Sequence, residues 1–136
     1  MINRFPILAV IAMANIVPAA AAAAKIEVVD GDTVRLGEER IRILGLDAPE
    51  LHQPKCRSEL RLAIRARDRL EQLLAGGKVE IIRGGRPDKY GRTLAVIRAG
   101  GVDVARILVS EGLARPYHGE RRNGWCGYPV PKRRPE

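Results

Sequence analysis

Aromatic residues are scarce: one Trp, three Tyr and one Phe in 136 residues. A dedicated single-strand-binding surface offers several aromatic stacking platforms, and this chain has few to give. Cysteine is equally sparse. Cys56 and Cys126 are the only two, and their distance in sequence excludes a CxxC redox or zinc motif. The two histidines, His52 and His118, match no zinc-ligand spacing and read as surface residues. No internal repeat is visible. The length suits one domain and not comfortably two.

Charge is missing from one long stretch. Phe5 to Ala24 contains no charged residue, follows a short start bearing Arg4, and ends in alanines. A basic start, an apolar stretch and small residues read as a secretory signal peptide over residues 1–24, cleaved near Ala22–Ala24. An uncleaved membrane anchor is the alternative. Pro6, Asn15 and Pro18 interrupt the run, whereas a spanning helix wants about 20 mostly apolar residues. The expected product is exported, to the periplasm or the medium. Its 112 residues keep 23 of the 24 Lys and Arg, since only Arg4 is lost, against 16 Asp and Glu, a net charge of +7. Such a surface attracts polyanions, because each neutralised phosphate releases counterions; solubility alone is the plainer reading. In an exported chain an even cysteine count suggests one disulfide. It would close a loop of about 70 residues, worth about 4 kcal/mol in the chain-entropy model. Two free buried thiols are the alternative for a chain that stays in the cytosol.

Periodicity and turn chemistry divide the mature chain. Lys25–Val29, Thr33–Leu36, Arg40–Leu46, Lys78–Arg83 and Arg92–Arg98 read as strands. Ser58–Leu74 reads as the main helix, with Leu62, Ala63, Ala66, Leu70, Leu73 and Leu74 on one apolar face and Gly76-Gly77 as its stop. Asp103 is a natural N-cap for a short second helix, Val104–Glu111. The pattern predicts a mainly β, α+β domain over residues 25–117: a five-stranded OB-type barrel with one main and one short helix. A generic α+β domain is the alternative. Residues 118–136 read as an irregular basic tail.

Four carboxylates fall at or beside strand ends: Asp30, Asp32, Asp47 and Glu50. Converging carboxylates repel and need a compensating cation, and hard oxygen ligands select calcium or magnesium over zinc. Ordinary turn chemistry explains any one of these acids alone. Arg42 and Arg92 add planar guanidinium forks that match phosphate oxygens. Arg42 and Asp47 stand five residues apart, so a regular strand would point them to opposite faces. Either the strand bends or bulges, or Asp47 already lies in the turn.

Val29-Asp30-Gly31-Asp32-Thr33, then Ile41 to Glu50 (IRILGLDAPE), then Asp88-Lys89-Tyr90-Gly91-Arg92 resemble, in this order, the three signature segments of the staphylococcal nuclease family. Gly112-Leu113-Ala114 resembles the segment after that family's second helix. The resemblance implies calcium held by Asp32, Asp47 and the backbone carbonyl of Ala48, where the best-known member has Thr. It implies an outer shell of Asp30 and Thr33, and Glu50 as general base. Arg42 and Arg92 would bind phosphate and support the transition state. Lys89 and Tyr90 would hold a terminal or neighbouring phosphate, and Tyr117 would stack near the nucleotide base unless it is a plain surface tyrosine. The implied activity is calcium-dependent hydrolysis of DNA and RNA phosphodiesters with little sequence preference, by a monomer that favours single-stranded or frayed substrate. The products would carry 3′-phosphate ends.

The family's C-terminal helix has no counterpart here, because His118 to Cys126 is too short and Gly-rich. Trp125 is expected to cap the core and Cys56–Cys126 to pin the tail in that helix's place. Arg121-Arg122 and Lys132-Arg133-Arg134 read as solvated tail charges. Two rival functions remain: a non-catalytic OB module that binds nucleic acid or another anionic polymer, and an exported structural or polysaccharide-associated protein. Nothing in a pure binding module requires Glu50, and the structural protein would merely keep the nuclease-like residues.

Overall fold

A computed structural model of the chain describes residues 25–132. The apolar leader with its expected cleavage site, and Arg133-Arg134, lie outside the described residues. Among the described residues no helix is long and apolar enough to cross a membrane.

The chain opens with β1 (Ile26–Asp30), β2 (Thr33–Leu36) and β3 (Glu39–Ile43), an antiparallel meander. The β1–β2 register slips between Val28 and Asp30. This irregularity brings Asp30 opposite Thr33 at the Gly31-Asp32 turn. After β3 the expected continuous strand breaks. Leu44 is exposed, and Gly45 takes φ 85°, a left-handed value that favours glycine. The chain then enters β4 (Gly45–Asp47), which leaves the main sheet. The parity conflict between Arg42 and Asp47 is resolved at this break, and both side chains end up buried.

The main helix α1 (Arg57–Ala75) packs on β1 and buries Leu62, Ala63, Ala66 and Leu70. Next come β5 (Val79–Arg83), β6 (Thr93–Ala99) and the two-residue β7 (Val102–Asp103). Helix α2 (Val104–Ser110) begins where the Asp103 carboxylate accepts the Ala105 N–H at 2.9 Å. Last is β8 (Arg115–Tyr117), antiparallel to β4. The five expected strands form one path, β1-β2-β3-β6-β5, with β3 and β6 parallel. No β1–β5 pairing closes it among the described residues, so the sheet is open rather than a closed barrel. Val34, Ile41, Ile43, Leu46, Ile97 and Leu108 are almost wholly buried in one core cluster with Leu62, Ala66 and Leu70 of α1. Each such side chain stabilises the fold by about 1.5–3 kcal/mol relative to exposure.

Residues 118–132 form neither helix nor strand and are mostly exposed, but they are anchored at a few points. Trp125 is 3% exposed, joins the core, and meets Tyr128 edge-on at 4.7 Å. Arg65 on α1 donates to the Pro131 carbonyl. Cys56, just before α1, is disulfide-bonded to Cys126, with Cα atoms 6.0 Å apart.

Candidate active site

The β1–β2 turn carries Asp32 into the protein. A Cβ on Gly31 would lie 2.8 Å from the Ala66 Cβ and 2.9 Å from the Ala48 Cβ, closer than real carbons approach. Glycine therefore lets the turn pack directly between α1 and the residue after Asp47. Gly31→Ala is expected to cost about 1–3 kcal/mol by overpacking, read as a lower urea midpoint. An unchanged midpoint would show that the turn has room.

Asp32 is the hub of the site. One carboxylate oxygen accepts the Ala48 N–H at 3.2 Å and pairs with Arg42 Nη1 at 3.1 Å. The other accepts the Thr33 hydroxyl at 2.9 Å. Its own N–H donates to the Asp30 carboxylate at 3.2 Å. The buried Arg42 guanidinium also donates to the carbonyls of Asp32, Ile43 and Leu46 at 3.0–3.3 Å. It thereby braces the broken strand on both sides of Gly45. Burial, and then the neighbouring Asp32 charge, pushes the Asp30 carboxyl up to about 7. Asp30 and Asp32 crowd each other here, and the Glu50 charge adds to the effect.

Asp47 is 2% exposed at the end of β4. Its Oδ2 pairs with Arg115 Nη2 at 3.0 Å, across the β4–β8 pairing. Its Oδ1 is buried and receives no hydrogen bond. Arg122 Nη2 lies 2.5 Å from that oxygen without hydrogen-bond geometry, so the contact is ionic. Arg122 Nη2 also reaches Glu50 Oε1 at 3.2 Å. Burial works against the Arg122 charge; Asp47, then Asp32 and Glu50, more than offset it and hold the guanidinium above its usual range.

The Glu50 side chain is 42% exposed, but its backbone is fixed. Its N–H donates to Glu59 Oε1 at 3.2 Å, and the Lys55 N–H donates to Glu59 Oε2 at 2.6 Å. Glu59 is 2% exposed in the first turn of α1. A carboxylate suits a helix start, and here it gathers the Glu50–Lys55 loop.

Arg92 lies just before Thr93, the parallel partner of Ile41 in β3. Its Nε pairs with Asp88 at 2.7 Å. Burial raises the Asp88 carboxyl, but the N–H groups of Arg92 and Tyr90 and the Arg92 guanidinium outweigh it and hold it below its usual range. Tyr90 is 68% exposed, with Lys89 and Arg92 cations 5.0 and 5.4 Å from its ring centre. Tyr117 is half-buried on β8, two residues from Arg115. His52 and His118 are exposed.

Hydrogen bonds and ion pairs thus link Asp30, Asp32, Thr33, Arg42 and Ala48, and Arg122 joins Asp47 to Glu50, while Lys89, Tyr90 and Arg92 lie on a loop of their own. Sequence reasoning passed over three residues of this neighbourhood. Glu59 shares the helical face of Leu62, Ala63 and Ala66, so periodicity had already placed a carboxylate against the core. Asp88 stands four residues before Arg92, and Arg122 four before Cys126. Arg122 is not a merely solvated tail charge, because it pairs with Asp47 and Glu50.

Fold and cluster together define a small, mostly sheet domain with two helices whose buried acids are braced by arginines. The profile of the family described as "Staphylococcal nuclease homologue" matches residues 40–125. The chain belongs to that family, and its OB fold class follows. The chain is 37% identical over 93 residues to the SPbeta prophage-derived endonuclease YokF of Bacillus subtilis (strain 168), covering 64% of this chain and 31% of that protein. It is 36% identical over 93 residues to endonuclease YncB of the same organism, covering 64% and 44%. To the thermonuclease of Staphylococcus intermedius it is 34% identical over 93 residues, covering 65% and 55%. The chain therefore spans about a third to about a half of the length of these relatives.

Proposed function

We propose that this chain is an exported, calcium-dependent nuclease that hydrolyses phosphodiester bonds of DNA and RNA with little sequence preference, acting as a monomer on single-stranded or frayed substrate. One observation supports the metal part of this reading: Asp47 Oδ1 is buried and receives no hydrogen bond, its charge being met by an ionic contact with Arg122. A buried carboxylate oxygen held by an ionic contact without a hydrogen bond is incompletely satisfied, and it suits an oxygen-seeking cation that takes the place of the guanidinium. Asp32, Asp47 and the Ala48 carbonyl would hold it, with Asp30 and Thr33 ordering its water. When bound, calcium would supply positive charge against the phosphate oxygens and an acidified water.

The chain's own residues do the rest. Glu50, solvent-reachable and anchored through its backbone, takes the proton of the attacking water. Arg92, oriented through Nε by Asp88, presents its Nη groups to the phosphate and to the charge that grows there in the transition state. Both Nη atoms of Arg42 already serve Asp32, Ile43 and Leu46, so its charge acts from a fixed position. Lys89 and exposed Tyr90 extend the phosphate path, and Tyr117 offers a ring toward a base. The nuclease names of the relatives support the reaction class. The charge-free leader and the disulfide support export.

The test is direct. Oxidised, folded protein is incubated with single-stranded DNA in millimolar calcium or in chelator. Cleavage to 3′-phosphate ends in calcium alone is expected. No cleavage by the folded protein, with binding retained at low salt, would leave the non-catalytic binding module as the better account.

A further inference from the structure

Arg122 has no helix or strand to hold it, yet it is firmly placed. On one side its Nη2 meets Asp47 Oδ1 at 2.5 Å and Glu50 Oε1 at 3.2 Å. On the other side the backbone that follows is tied down. Arg115 donates to the carbonyls of Asn123 at 2.7 Å and Gly124 at 3.0 Å, and stacks 3.8 Å over the Trp125 ring. Cys126 is bonded to Cys56. The tail thus delivers a guanidinium to two acids that the proposed reaction assigns to different tasks, one to cation binding and one to the water.

We propose that Arg122 is a positioning residue of the site: an internal counter-ion that holds Asp47 and Glu50 together and must give up Asp47 Oδ1 before a divalent cation can take it. This rests on the reading of Asp32 and Asp47 as cation ligands. The geometry forces the exchange. Calcium binds carboxylate oxygen at about 2.3–2.6 Å, and Arg122 nitrogen already lies 2.5 Å from that oxygen. At that range a calcium ion and the Arg122 guanidinium would crowd the same buried oxygen, and their charges repel. Arg122 is also well suited to yield, because its side chain is 43% exposed and water can receive it. Coupling of this kind is reciprocal: whatever affinity Arg122 costs calcium, calcium costs the hold of Arg122 on Asp47. An arginine with a merely structural role predicts the opposite sign, since its loss would loosen the acids and weaken calcium binding.

The test needs no nucleic acid. Calcium is titrated into purified oxidised protein by calorimetry and by the emission of Trp125, the chain's only tryptophan. That ring is stacked on Arg115, which itself pairs with Asp47. Arg122→Gln should bind calcium about tenfold more tightly than wild type, within the usual range of coupling, and Arg122→Lys should fall close to wild type. Equal or weaker binding by a folded Arg122→Gln protein overturns the proposal. As a measurement on unaltered protein, the Arg122 Nε–H resonance should shift as calcium saturates; a resonance that stays in place overturns it too. Absence of calcium binding in every variant would overturn the cation reading itself and this proposal with it, an outcome separate from equal binding.

Discussion

Glu50→Gln should lower kcat on single-stranded DNA by about 10²- to 10⁴-fold, the range of a lost general base, with little change in melting temperature. The two halves of this expectation come from different atoms. The side chain is half-exposed, and its one ion pair, to Arg122, joins groups 42% and 43% exposed. Pairs so exposed contribute little to stability. The backbone N–H, which ties the loop to buried Glu59, is untouched by the substitution. Asp47→Asn would be a poorer experiment: Asp47 is buried and faces two guanidinium groups, so lost activity and lost stability would be mixed. Steady-state kinetics at saturating calcium, beside a thermal melt, check the expectation. A folded Glu50→Gln protein within tenfold of wild-type kcat would remove Glu50 as the base and point to solvent or another acid.

What could be read before the structure follows the range of the forces involved. Helix α1 was legible because Leu62, Ala66 and Leu70 repeat at helical spacing, and a run without Gly or Pro leaves little doubt of its length; the observed ends differ from the expected ones by one residue each. The five main strands were legible from alternation and from Gly turns. Strands β4, β7 and β8 were not, because two or three residues carry no period of their own and exist only through partners such as Asp47 and Arg115. The break at Leu44 and Gly45 was half-legible. The five-residue interval between Arg42 and Asp47 required an irregularity, and Gly45 was the residue able to supply it. The acids were legible as a group because each lies at or beside a strand end. The arginines that answer them were less so. Arg115 and Arg122 reach Asp47 through β8 and the disulfide, across more than sixty residues of sequence that no local pattern spans. The tail was legible in part: its irregular secondary structure and Trp125 against the core were expected and observed, whereas the hydrogen bond from Arg65 to the Pro131 carbonyl joins surfaces far apart in the chain.

Replacing both Cys56 and Cys126 with serine should lower the melting temperature by about 16 °C. The bridge spans 70 residues. Closing a loop of that size removes about 4 kcal/mol of chain entropy from the unfolded ensemble, and a domain of about 100 residues shifts by about 4 °C per kcal/mol. The position of the bond adds a native-state reason. Cys126 follows Trp125, which fills the core beside Leu113 and Ala114, and Cys56 precedes the first turn of α1, where Glu59 gathers the Glu50 loop. One covalent link therefore holds the tail, the helix start and the loop of the proposed base in register. The emission of Trp125 separates the two causes. A double-serine protein that melts early but keeps a blue-shifted, buried tryptophan has lost only the constraint on its unfolded chain. Early melting with a red-shifted tryptophan means the tail has left the core, and Arg122 has left Asp47 and Glu50 with it. A melting temperature within about 3 °C of wild type would show that contacts alone seat the tail, and that the link between Cys56 and Cys126 adds nothing to stability.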